Sequence, residues 1–182
     1  EALGDAGLRT ASVNFTAYRG RTAHRSSLPF LGDVLGPDSF FFYNLFQSER
    51  TGAPLSWRNR AAGSIDAYAT AVGRWLVTRD AFDFLVYYLS DYDYASHEHG
   101  PDAAFEALAR CDDAVGALAD AAGGLDELLD RYALVVLSDH GQTGVRDVAV
   151  LDRCYADVAG ALVTASNRAA QVYAQRDCVL DP

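Results

Sequence analysis

Methionine and lysine are both missing from the 182 residues. Without lysine, every basic side chain is an arginine, which points to a GC-rich genome rather than to a function. Without methionine, and with Glu1 in first place, the chain reads as an excerpt of a longer gene product that opens inside a helix, Glu1 to Gly7. Long apolar runs are missing as well. None reaches the ~18 residues of a membrane span, and no signal peptide is visible, so a soluble chain is expected without its compartment being written. Cysteine is sparse: Cys111, Cys154 and Cys178 are odd in number and lack CxxC spacing. They read as core or surface thiols with no zinc or disulfide role. Positive charge is also short. A net charge of −10 argues against a protein that binds nucleic acid by neutralising phosphates, so no nucleic-acid partner is expected. Phosphate-ester chemistry stays open, because divalent cations would reverse the local field whatever the global charge.

What is present describes a globular protein. Half the residues are apolar and 22% are charged, and the length supports one sizeable core. Residues 1–182 are therefore expected to be one domain. Ala11 to Phe15 alternates and reads as a strand. Residues 18–58 are rich in Gly, Pro and Ser, with Arg19, Arg21 and Arg25 clustered around His24, and resemble a long loop or cap segment. Those arginines could grip a substrate phosphate or lie in a solvated loop. The aromatic run Phe40 to Tyr43 within it packs as a short element or lines a pocket. Ile65, Tyr68, Val72, Trp75 and Leu76 recur at helical spacing over 60–78. Asp83 to Leu89 is nearly continuous in apolar residues, which predicts a strand buried on both faces, as in a parallel sheet.

Pro101 and Asp102 suit the first turn of a further helix. Phe105, Leu108, Cys111, Val115 and Leu118 mark its expected buried stripe, and Gly123-Gly124 its end. A short helix is expected over 125–131. Ala133 to Leu137 reads as a second buried strand. Two more are expected at 161–164 and 170–173, with a turn at Ser166-Asn167. The alternation of strands and helices predicts βαβ units.

Two polar clusters stand at the ends of these apolar runs. Asp91-Tyr92-Asp93-Tyr94-Ala95-Ser96-His97-Glu98-His99-Gly100-Pro101 follows the first, and Ser138-Asp139-His140-Gly141 follows the second. Open α/β sheets place their chemistry at the carboxyl ends of strands. Asp93 and His97, four apart, could reach one ion from a helical turn or a tight loop, and Asp139 and His140 could converge where the backbone turns at Gly141. Either pair alone is weak. Together, titratable groups at two strand ends must be solvated, paired or metal-bound. His97-Glu98-His99 also invites comparison with hydrolases that use His-x-His, but Gly100-Pro101 follows where those add an Asp-His.

The combination Asp-x3-His-x2-Gly-Pro, carried by Asp93, His97, Gly100 and Pro101, with Ser138-Asp139-His140-Gly141, resembles the alkaline phosphatase superfamily. The closer likeness is to its nucleotide pyrophosphatase/phosphodiesterase (type I phosphodiesterase) branch. Tyr92 stands where that family often has Pro, and Ser96 where it often has Gly. The resemblance implies a three-layer α/β fold with a mostly parallel central sheet flanked by helices, incomplete in this chain, which would be part of the catalytic domain. It implies two divalent metal ions, commonly zinc, one held by Asp93 and His97 and the other by Asp139 and His140. His99 then lies outside the ligand set. It also implies metal-dependent hydrolysis of a small-molecule phosphate ester or nucleotide. Phosphodiester or pyrophosphate bonds would be cleaved through a covalent phospho-enzyme on a Thr or Ser outside this segment, so the segment alone is expected to be inactive. Phosphomonoesterase, sulfatase and phosphomutase activities belong to the same superfamily, and a non-catalytic α/β binding module is the reading from another class. Oligomeric state is not written in the sequence.

Overall fold

The computed structural model describes residues 1–28, 30–43, 46–48, 63–166 and 169–175. Residues 49–58 of the expected cap segment, Asn167 of the expected turn, and Cys178 lie outside them. The described chain divides into two compact units, Glu1–Thr143 and Gly144–Pro182.

The first unit is built on a four-stranded sheet. Helix α1 (Ala2–Asp5) leads into β1 (Thr10–Val13), followed by a small antiparallel pair, β2 (Thr22–His24) and β3 (Val34–Gly36). Then come β4 (Ser39–Phe42), β5 (Phe46–Ser48), α2 (Ile65–Thr78), β6 (Phe84–Tyr87), α3 (Asp91–His99), α4 (Phe105–Ala122) and α5 (Leu125–Arg131). The sheet order is β5-β4-β1-β6. β1 lies parallel to both β4 and β6, with Ser12 opposite Phe40 and Val86, and β5 alone is antiparallel. This is the expected mixed α/β architecture around a mainly parallel sheet. The aromatic run does pack as a short element: it is β4, with Phe40 and Phe41 fully buried.

The core forms where α2 meets the sheet and α4. Tyr68, Val72, Leu76 and Val77 of α2 close over Ala11 and Val13 of β1, Phe41 of β4 and Leu118 of α4. Ser64 starts α2 by accepting a hydrogen bond from the Ala67 amide through its hydroxyl, at 3.1 Å. Gly73 permits the close approach of α2 and α4: a Cβ there would stand 2.6 Å from Leu118 Cδ2 and 3.0 Å from the Tyr87 ring. At the amino ends of the strands, Arg9 donates to the Asp83 carboxylate, and Asp80 joins it to Arg131 and Tyr132. These hydrogen bonds from Arg9 hold the Asp83 carboxyl down at about 2.

Three expectations are corrected here. Residues 133–137 form no strand: Val135, Val136 and Leu137 are 75%, 82% and 80% exposed. A parallel strand is stable only with cover on both faces and a paired neighbour, and apolar content supplies neither. For the same reason β6 is not buried on both faces. It is an edge of the sheet among the described residues, and Phe84 is exposed. The buried stripe of α4 is also displaced. Phe105 and Leu108 face outward, while Ala107, Ala114, Leu118 and Ala119 are buried. Apart from Leu118, which meets Gly73 of α2, the buried side chains of α4 are alanines.

The second unit contains α6 (Leu151–Cys154) and an antiparallel hairpin of β7 (Ala161–Ser166) and β8 (Ala169–Ala174), in register from Ala161 opposite Ala174 to Ser166 opposite Ala169. Both strands fall where the sequence predicts them.

Candidate metal centre

Helix α3 begins directly after β6 and carries the first polar cluster on its surface. Its N-cap, Ser90, makes no side-chain capping bond. The first turn is acidic, with Asp91 and Asp93, which suits the helix dipole, and the last turn carries His97 and His99. Gly100 stops the helix at φ 85°, ψ 155°, a conformation closed to other residue types, and Pro101 opens the 3-10 turn that follows.

On this helix Asp93 and His97 are neighbours one turn apart, with His97 Nε2 3.4 Å from Asp93 Oδ1. His140 arrives from the extended segment after α5 and places its Nε2 3.8 Å from the same oxygen. The two imidazole rings lie 6.4 Å apart and meet edge to face. One ligand atom from each of Asp93, His97 and His140 falls within 4.8 Å of the others. Two imidazole nitrogens and a carboxylate oxygen, half-exposed and converging, are a donor set that zinc and similar divalent ions accept.

Asp139 stands beside this group rather than in it. Its carboxylate is mostly exposed and lies 3.8 Å from His140 Nε2. His99 points elsewhere, 3.7 Å from Glu98. Arg21 is engaged by Asp5 and Arg25 approaches Asp33, while Arg19 lines a hollow with Gly36 and Phe84.

Three residues not singled out in the sequence contribute to the site. Gln142 donates from Nε2 to Asp93 Oδ1 at 3.0 Å and so fixes the oxygen that both histidines face. Its only signal is its place two residues after His140. Asn14, at the end of β1, adopts φ 57°, accepts from the Tyr43 amide and donates to the Ile65 carbonyl. Asp66, in the first turn of α2, is buried and accepts from the backbone amides of Ser90 and Asp91.

A cleft of about 230 Å³ opens against Asp93, lined by Asn14, Phe42, Tyr43, Tyr88 and Tyr94 among others. The field around it is negative. The Tyr88 hydroxyl is pushed up first by burial and then by the charges of Asp139 and Asp93. A cation is the natural counterweight to such a group of carboxylates.

A family model described as type I phosphodiesterase / nucleotide pyrophosphatase matches residues 2–181. No curated protein and no solved structure matches the chain.

Proposed function

Because this chain belongs to the type I phosphodiesterase / nucleotide pyrophosphatase family, we propose that Asp93, His97, Asp139 and His140 hold two divalent metal ions, zinc in the first instance, and that the site cleaves phosphodiester or pyrophosphate bonds of a small molecule such as a nucleotide. The family is one of hydrolases acting on such bonds. The observation that carries the metal reading is the convergence of Asp93, His97 and His140 within 4.8 Å.

Bound cations would supply Lewis acidity to phosphoryl oxygens. The chain's own residues do the rest. Asp93 offers the central oxygen, oriented by Gln142. His97 and His140 must present neutral imidazoles, so ligation releases protons and weakens as pH falls. Asp139 stands next to His140 and can extend the ligand set to a second ion. The aromatic cleft beside Asp93 has room for the organic part of an ester. No residue of this chain is assigned as nucleophile. The covalent phospho-enzyme of the reading would form on a Thr or Ser outside residues 1–182, which belong with it to one catalytic domain.

The test uses the full-length gene product. Turnover of bis-p-nitrophenyl phosphate is expected to exceed that of p-nitrophenyl phosphate, and His97→Ala and Asp139→Ala are each expected to lower zinc content. A strong monoester preference would overturn the diester assignment in favour of a phosphatase. Unchanged zinc stoichiometry in both variants would remove the metal assignment, and no turnover with full folding would leave a binding module.

A further inference from the structure

Asp66 is 3% exposed and makes its hydrogen bonds to a segment 24 residues further along the chain. One carboxylate oxygen accepts from the Ser90 amide at 2.7 Å and the other from the Asp91 amide at 3.2 Å. These are among the amides a helix start leaves without an intrahelical partner. Helix α3 has no cap of its own, since Ser90 Oγ is buried and finds no partner among the described residues. The thiol of Cys111, on α4, approaches the second Asp66 oxygen at 3.5 Å. One buried carboxylate therefore ties α2, the β6–α3 junction and α4 together.

Asp66 is itself held firmly. The Asn14 side chain donates to the carbonyl of Ile65, the preceding residue, at 3.1 Å, and Ser64 caps the same turn. Tyr68, two residues on, is fully buried in the core. A rigid path thus runs from β1 through α2 to the first turn of α3.

We infer that Asp66 is a positioning residue for the metal centre: by capping α3 from α2 it sets where Asp93 and His97 stand relative to His140. Asp93 lies two residues past the anchored amide of Asp91 and His97 four further, about 1.5 Å of rise per residue along one helix. His140 comes from a separate segment, outside α3 and joined to it at Asp93 through Gln142. A displaced α3 start therefore changes the gap between donors that must lie within about 0.5 Å of the binding geometry. The inference rests on the metal reading of Asp93, His97 and His140.

The experiment is titration of Zn²⁺ alone against a chromophoric chelator in the full-length gene product, with amide hydrogen exchange at Ser90 and Asp91. Asp93→Ala, which removes a ligand, is the reference and is expected to abolish tight binding. Asp66→Ala is expected to weaken Zn²⁺ affinity about 10-fold or more, the scale set by residues that orient metal ligands, and to strip protection from both amides. Asp66→Asn keeps one acceptor oxygen and is expected to lose less. It also serves if the alanine variant does not fold. Val72→Ala, a core truncation in α2, is expected to lower thermal stability with wild-type affinity. Wild-type affinity in both Asp66 variants, with Asp93→Ala impaired, overturns the positioning role and leaves the metal reading intact. So does an equal loss in Val72→Ala. An unimpaired Asp93→Ala overturns both.

Discussion

Asn14 concentrates three demands in one residue, and replacing it separates them. Its backbone sits at φ 57°, its amide donates to the Phe41 carbonyl, and its side chain accepts from Tyr43 N at 3.0 Å while donating to Ile65 O at 3.1 Å. In Asn14→Ala both side-chain bonds are lost, at about 1 kcal/mol each with the Tyr43 amide left short of a partner. Asparagine tolerates a left-handed backbone better than alanine, so alanine meets more of the ~1–2 kcal/mol that this conformation costs a residue with a Cβ. A loss of about 3 kcal/mol is expected. In Asn14→Gly the same two bonds go, but the backbone is unstrained. The looser unfolded chain offsets part of that relief by about 0.5 kcal/mol. Glycine should therefore be the milder substitution by about 1 kcal/mol, although it removes more atoms. Urea denaturation followed by tryptophan fluorescence measures both. Equal midpoints for the two variants would show that the backbone conformation carries no strain, and wild-type midpoints would show that the hydrogen bonds at this corner do not hold it.

Two paired glycines test the packing of α2 on α4. Gly116→Ala meets nothing within 4 Å and should stabilise by about 0.5–1 kcal/mol through helix propensity, whereas Gly73→Ala should lose that gain to overpacking against Leu118 and Tyr87; comparable thermal midpoints for the two would contradict the close approach. At the base of the sheet, Asp83 is held at about 2 by Arg9, below the ~3.9 of an unfolded aspartate. Its contribution is therefore present above pH ~4 and lost as pH falls toward 2, and Asp83→Asn should flatten the thermal midpoint in that window, whereas an unchanged slope would show that Arg9 does not stabilise it.

Local signals were legible where local physics decides. The spacing of Ile65, Tyr68, Val72, Trp75 and Leu76 marked α2, the four-residue spacing of Asp93 and His97 marked a pair able to converge, and Gly123 closed α4. What escaped was non-local. Leu134 to Leu137 declare a need for burial but not a partner, and so read as a strand that the structure does not form. Phe105 and Leu108 look like core, yet α4 buries Ala107, Ala114, Leu118 and Ala119 instead, and Leu118 is the side chain that meets Gly73. Asp66 in a first helical turn reads as a companion to its own helix dipole. Only the fold reveals that its hydrogen bonds serve another helix. His140 was singled out for its place after an apolar run, but the oxygen it faces, on Asp93, could be known only in three dimensions.

The outer edge of β6 has a bearing on how this polypeptide behaves in a test tube. Phe84 to Tyr87 present one rim of backbone donors and acceptors to solvent among the described residues, and a chargeless apolar stretch, Leu134 to Leu137, stands exposed in the same unit. Such a rim is a template on which a second copy can add its own strand, and a run of this composition is suited to supply it. Handled at high concentration, the polypeptide should thicken into aggregates before it unfolds. A single charge placed at Val136 would be the mildest remedy.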